Sequence, residues 1–128
     1  MRLAFAAVAL ACSGPALATG GISCRPVQGT GPTLHLVIGH AVAPAIVSVR
    51  MGDGVAYNSG NERMGSHGLA IARSWLDDRI LWLDLADANL TRFEGRLRAV
   101  FQPKVRGRPA VGTFVRNGRT WRVRCVEA

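Results

Sequence analysis

The sequence is poor in aromatic residues and acids and has no long apolar run, and each shortage excludes something. Aromatic residues make up 6% of the 128 and charged residues 19%, against 48% hydrophobic. That balance is too apolar for a disordered tail and too polar for a membrane protein. No stretch approaches the roughly 18 consecutive apolar residues of a transmembrane helix. No segment carries a clear helical stripe, and the best, residues 83–89, is short and mixed. Cysteine is limited to Cys12, Cys24 and Cys125. The spacing of His35, His40 and His67 matches no compact metal motif. One domain is expected at this length, with no room for a large cofactor-binding fold.

What is present begins with an N-terminal address. Arg2 gives a positive start, residues 3–11 are apolar, Gly14-Pro15 breaks the run, and Ala16-Leu17-Ala18 is a small-x-small cleavage site. Residues 1–18 read as a signal peptide cut after Ala18, with residues 19–128 as a single β domain, secreted or periplasmic. Cleavage removes Cys12 and leaves Cys24 and Cys125, an even pair at opposite ends of a small domain, which in an oxidising compartment predicts a disulfide. The competing reading, Cys12 as a lipidated residue, lacks the branched apolar residue expected three positions upstream, where Ala9 stands.

The period along the mature chain is two. Leu34, Leu36 and Ile38 alternate with His35 and Val37, and Val47, Val49 and Met51 with Ser48 and Arg50. Phe93, Gly95, Leu97, Ala99 and Phe101 alternate with Arg92, Glu94, Arg96 and Arg98. Glycines and prolines punctuate the gaps. Asn117-Gly118, between two alternating runs, predicts a two-residue type I′ hairpin. Counting outward from it sets Arg116 opposite Arg119 and Phe114 opposite Trp121, with Phe114, Trp121, Val123 and Cys125 on one face and Thr120, Arg122 and Arg124 on the other. The fold expected is all-β: a small antiparallel barrel of about eight strands closed by an N- to C-terminal disulfide, with a two-sheet β-sandwich as the alternative.

Charge is concentrated. Residues 92–124 hold ten basic residues and one acid, Glu94, a net of +9, whereas residues 19–91 hold five basic residues and six acids. Nine of the ten are arginine, whose planar fork suits phosphate and carboxylate. The expected anion-binding set is Lys104, Arg106, Arg108, Arg116, Arg119, Arg122 and Arg124. Within it residues 102–109 form a basic loop with no apolar run to pin it, and Arg116 opposite Arg119 is a like-charge pair that asks for neutralisation. The bland reading of the same residues is a solvated strand face that keeps the protein soluble.

A turn at Asp77-Asp78 would set Trp75 opposite Ile80 and Trp82 opposite Arg73, with Leu81, Leu83 and Leu85 on the other side. With the leucines inside, Trp75, Trp82 and Arg73 form an outward aromatic platform for a sugar ring, a peptide or a protein. Catalytic groupings are weak. Gly65-Ser66-His67-Gly68 lacks the strand-to-helix turn of a nucleophile elbow, and Met51-Gly52-Asp53-Gly54 lacks a following helix for phosphate.

The signal, the all-strand pattern, Cys24 and Cys125 near the first and last strands, and Ile80-Leu81-Trp82 in the centre resemble the small periplasmic barrels that inhibit C-type lysozyme. Those proteins are similar around a Ser-Gly segment leading into Tyr, whereas this chain reads Tyr57-Asn58-Ser59-Gly60, so no inhibitory residue is carried over. The reading is a non-enzymatic binding or inhibitor-like module with an arginine-rich face for an anionic partner: lipid phosphate, acidic glycan or acidic protein. A lysozyme-inhibitor-like barrel, a structural envelope protein and a small hydrolase using His67 with Ser66 are the alternatives. No cofactor, metal, specific nucleic acid or transmembrane segment is expected.

Overall fold

Asn117 and Gly118 both adopt positive φ, 50° and 73°, as a type I′ turn requires. They join β8 (Ala110–Arg116) to β9 (Arg119–Glu127) in the expected register, Arg116 opposite Arg119 and Phe114 opposite Trp121. The computed structural model describes residues 20–40, 42–59 and 66–127. Residues 1–18, read above as a signal peptide, with Cys12 among them, and Gly60 and Gly65 of the motifs above lie outside the described residues. Seven further strands precede the hairpin: β1 (Gly20–Pro26), β2 (Thr33–His40), β3 (Pro44–Gly52), β4 (Ala56–Asn58), β5 (Ser66–Leu76), β6 (Ile80–Asp87) and β7 (Phe93–Phe101).

The strands pair in chain order and β9 returns to β1, so the sheet is a closed barrel and not a sandwich. Every pairing is antiparallel except that of β4 with β5. Nine strands stand where about eight were expected, because β4 has three residues, too few for a period of two to register. Cys24 pairs directly with Cys125 across the closing seam, and the two form the disulfide.

Three bulges correct the simple alternation. The β2–β3 register jumps from Val37–Ser48 to Ile38–Ile46, leaving Val47 unmatched and 58% exposed while Ile46 takes the buried position. The β6–β7 register jumps from Leu85–Gly95 to Ala86–Phe93, so Glu94 is the extra residue and is buried while Phe93 faces out. On β5 the extra residue is Ala72, between Ile71–Leu85 and Arg73–Asp84. An added residue reverses the side on which its neighbours point and increases local bend, which a small closed barrel needs.

The interior is filled. Leu36, Val49, Leu81, Leu83 and Leu97 are fully buried and Phe114 nearly so. Gly95 makes room for the aromatic ring, since a Cβ there would lie 2.5 Å from Phe114 Cζ. Side chains therefore occupy the centre, as in other barrels of this size, and ligand sites are confined to the ends and the outer face. Among the described residues no helix is long and apolar enough to cross a membrane.

Candidate functional site

The β5–β6 turn decides what the outer face looks like. Asp77 Oδ1 accepts from the backbone N–H of Arg79 (2.7 Å) and Ile80 (2.8 Å), and Asp77 N–H donates to the Ile80 carbonyl (3.1 Å). Asp77 is thus the last residue before the turn and the turn residues are Asp78-Arg79, one place later than expected. The register moves by two: Trp75 pairs with Trp82 and Arg73 with Asp84, in place of Trp75 with Ile80 and Arg73 with Trp82. A shift of two preserves the faces. The leucines are inside, and Trp75 and Trp82 are 57% and 41% exposed.

From there a row of side chains runs across five strands: Trp75, Trp82, Arg98, Thr113 and Arg122. Four strand spacings make it about 19 Å long. A parallel row carries Arg73, Asp84, Arg96, Val115 and Thr120, and another ends in Val111, Arg124 and Arg25. Arg25 and Arg124 are directly paired across β1 and β9, and neither they nor Arg122 have a carboxylate partner among the described residues. Like charges held opposite each other without an acid are destabilising and favour a bound anion.

At the aromatic end a recess of about 300 Å³ is walled by Arg73, Trp75, Trp82 and Arg98 with Asp84 among them. The Arg98 guanidinium sits 5.2 Å from the centroid of the Trp82 ring and 2.9 Å from Asp84 Oδ1, which Arg96 Nε also reaches at 3.1 Å. Burial alone would raise the Asp84 carboxyl, but the hydrogen bonds from Arg98 and Arg96 outweigh it and hold the group below its ordinary value. Trp75 is fixed by its Nε1 donating to Asp77 Oδ2 at 2.8 Å. That bond, followed by those from the Arg79 and Ile80 amides, also lowers the Asp77 carboxyl.

The structure divides the expected anion-binding set. Arg122 and Arg124 lie on the outer face. Lys104 and Arg106 are exposed in the β7–β8 loop, which is pinned by backbone bonds from Gln102 to Pro109 (2.8 Å), Val105 to Gln102 (3.2 Å) and Arg108 to Val105 (3.0 Å). Arg108 turns away and donates through Nη2 to the Asp78 carbonyl at 3.2 Å. Arg119 is exposed at the barrel rim, 5.0 Å over the Trp121 ring.

Arg116 leaves the set altogether. It shares the inward face with Phe114 and is 3% exposed. Its Nε donates to Asp53 Oδ2 (2.8 Å) and its Nη1 to Glu94 Oε2 (2.7 Å), and it lies 4.7 Å over the Tyr57 ring. Desolvation works to lower its pKa, and the bonds from Glu94 and Asp53 more than reverse that, so the charge is retained and already neutralised. Arg25 and Arg98, in contrast, belong to the face and were not singled out. Arg25 was within reach of the sequence, since pairing Cys24 with Cys125 sets the next residue, Arg25, opposite Arg124.

The histidines are dispersed. His35 Nδ1 shares a hydrogen bond with Ser23 Oγ (3.0 Å), His40 ends β2, and His67 lies 5.2 Å from the Tyr57 ring. Among the described residues no three His, Cys, Asp or Glu side chains gather in a metal-binding group. Comparison with protein-family models, curated proteins and solved structures found no match.

Proposed function

We propose that this protein is a secreted or periplasmic, non-enzymatic binding module for an anionic partner, and that the partner is an acidic glycan held on the outer face of β5 to β9. The observation that carries the reading is the single cross-strand row with the exposed indoles of Trp75 and Trp82 at one end, Arg122 at the other and Arg98 between them. Indole faces stack on sugar rings, and arginine forks pair with carboxylate or sulfate. The recess favours a ring with hydroxyl groups over a flat lipid surface, because Asp84 presents an acceptor that a phosphate headgroup would avoid. An acidic protein would gain from the arginines but would leave the recess between Trp75 and Trp82 without a specific use.

The test is titration of the disulfide-bonded protein with oligogalacturonate, with neutral dextran, phosphatidylglycerol vesicles and poly-glutamate as comparisons. Oligogalacturonate binds, dextran does not, and Trp82→Ala and Arg122→Gln each weaken binding by about tenfold, the loss of one stacking contact or one charge-assisted pair. Preference for vesicles or poly-glutamate, or binding unchanged in both variants, overturns the reading.

A further inference from the structure

The two ends of the barrel are built differently. One is plugged by Arg116 with Asp53, Glu94 and Tyr57. The other, where β1 begins and β2, β5, β7 and β9 end, opens, among the described residues, over a cavity of about 360 Å³, within the range of small-molecule sites. Its floor is apolar: Ile22, Ile38, Leu76 and Phe101. It exists because Gly20, which shares the inward face of β1 with Ile22 and Cys24, brings no side chain to the last layer of the core. A Cβ on Gly20 would meet nothing closer than His40 Nε2 at 3.9 Å.

The rim carries both signs of charge. Asp77 is occupied by Trp75 and two backbone amides, but the side chains of His40, Asp78 and Glu127 have no hydrogen-bond or ion-pair partner among the described residues. Arg108 reaches across the mouth to the carbonyl of Asp78. It does so from φ 46°, a left-handed conformation disfavoured for a residue with a Cβ. Gly107 before it, at φ 81°, completes the sharp approach of the loop to the opening.

We infer that this mouth is a second binding site, separate from the outer face, for a free amino acid with a large apolar side chain. The side chain lies on Ile22, Ile38, Leu76 and Phe101, Arg108 and His40 face the carboxylate, and Glu127 and Asp78 face the ammonium. A purely anionic or cationic head would meet uncompensated charge of its own sign on this rim, whereas a zwitterion satisfies both sets of groups.

Calorimetric titration of the oxidised protein with L-phenylalanine, N-acetyl-L-phenylalanine and L-phenylalaninamide tests this. L-Phenylalanine binds saturably with Kd below about 1 mM, and blocking either charged end weakens binding by about tenfold or more. Gly20→Leu, which fills the cavity at a position with room for the new side chain, abolishes binding. Arg108→Gln weakens L-phenylalanine and leaves the amide unchanged. Absence of saturable binding, equal binding of all three compounds, or undiminished binding in folded Gly20→Leu overturns the inference. The outer-face site does not depend on the result, since oligogalacturonate binding is measured separately.

Discussion

Arg116 and Arg119 stand directly opposite each other across the Asn117-Gly118 turn, and their guanidiniums point to different environments. Arg116 enters the barrel end and is held by Asp53 and Glu94. Arg119 lies over Trp121 at the rim, exposed to solvent. A like-charge pair at a hairpin turn is tolerated here because one member is neutralised inside the protein before a ligand is considered. The same hairpin thus supplies an internal brace and, through Arg122 and Arg124 on the opposite face, the exposed charges.

Removing the brace leaves Glu94, 6% exposed, with Arg92 as its remaining ion-pair partner. Arg116→Met is expected to lower unfolding free energy by about 3 kcal/mol, the usual loss when one partner of a buried pair is deleted. Arg119→Ala loses only an exposed cation–π contact, about 0.5 to 1 kcal/mol. Urea denaturation of the two variants measures the difference. Equal small losses would mean that Arg116 does not brace the barrel end.

How far these features were legible in the sequence follows the range of the interactions behind them. The Asn117-Gly118 register and the Leu81, Leu83, Leu85 face depend on near neighbours, and both are as the alternation predicts. The turn at Asp78-Arg79 escaped because a side chain, Asp77, chooses its position by accepting two backbone N–H groups, and pattern reading does not see that choice. Phe93 and Val47 continue the alternation of their strands in the sequence yet face outward, because bulges add a residue with no compositional mark. Arg116 shares parity with Phe114, so its inward direction was readable. Its neutralising partners were not, since Glu94 and Asp53 lie 22 and 63 residues away.

The disulfide joins residues 101 apart, across the seam where β9 meets β1. Closing a loop of that size stabilises the native state by about 4 to 5 kcal/mol on chain-entropy grounds. Paired replacement of Cys24 and Cys125 by alanine, compared with the oxidised wild type in thermal melts, is expected to show a loss of about that size. Mass measurement with and without alkylation should find no free thiol among these two in the native protein. A wild type that melts identically before and after reduction contradicts the role assigned to the seam.

Asp84 ties stability to pH. Its folded-state pKa is lowered beneath the ordinary 3.8, so its contribution is fully present above that value and is lost as pH falls through the lower folded value. Asp84→Asn should therefore destabilise at neutral pH by about 1 to 2 kcal/mol, discounted because Arg96 and Arg98 remain partly in water. The difference between variant and wild type should close on acidification below about pH 3.8. Melting curves taken from neutral pH downward give the result, and a gap that stays constant throughout would assign Asp84 a packing role instead.

Arg25 and Arg124 make opposite predictions for stability and for binding, which lets the proposed face be told apart from a merely solvated one. Directly paired across β1 and β9, they repel in the unliganded protein, by an amount in the range of about 0.2 to 1 kcal/mol for opposed cross-strand charges. Arg25→Gln should raise the melting temperature slightly at low ionic strength, and added salt should erase the gain by screening. The same substitution should weaken oligogalacturonate binding, because the site loses one of its guanidiniums. In a face that serves only solubility, relief of the same repulsion would still raise the melting temperature, but Arg25→Gln would leave oligogalacturonate binding unchanged. A gain in stability together with a loss of binding is the trade expected of a site kept for function at the expense of the fold.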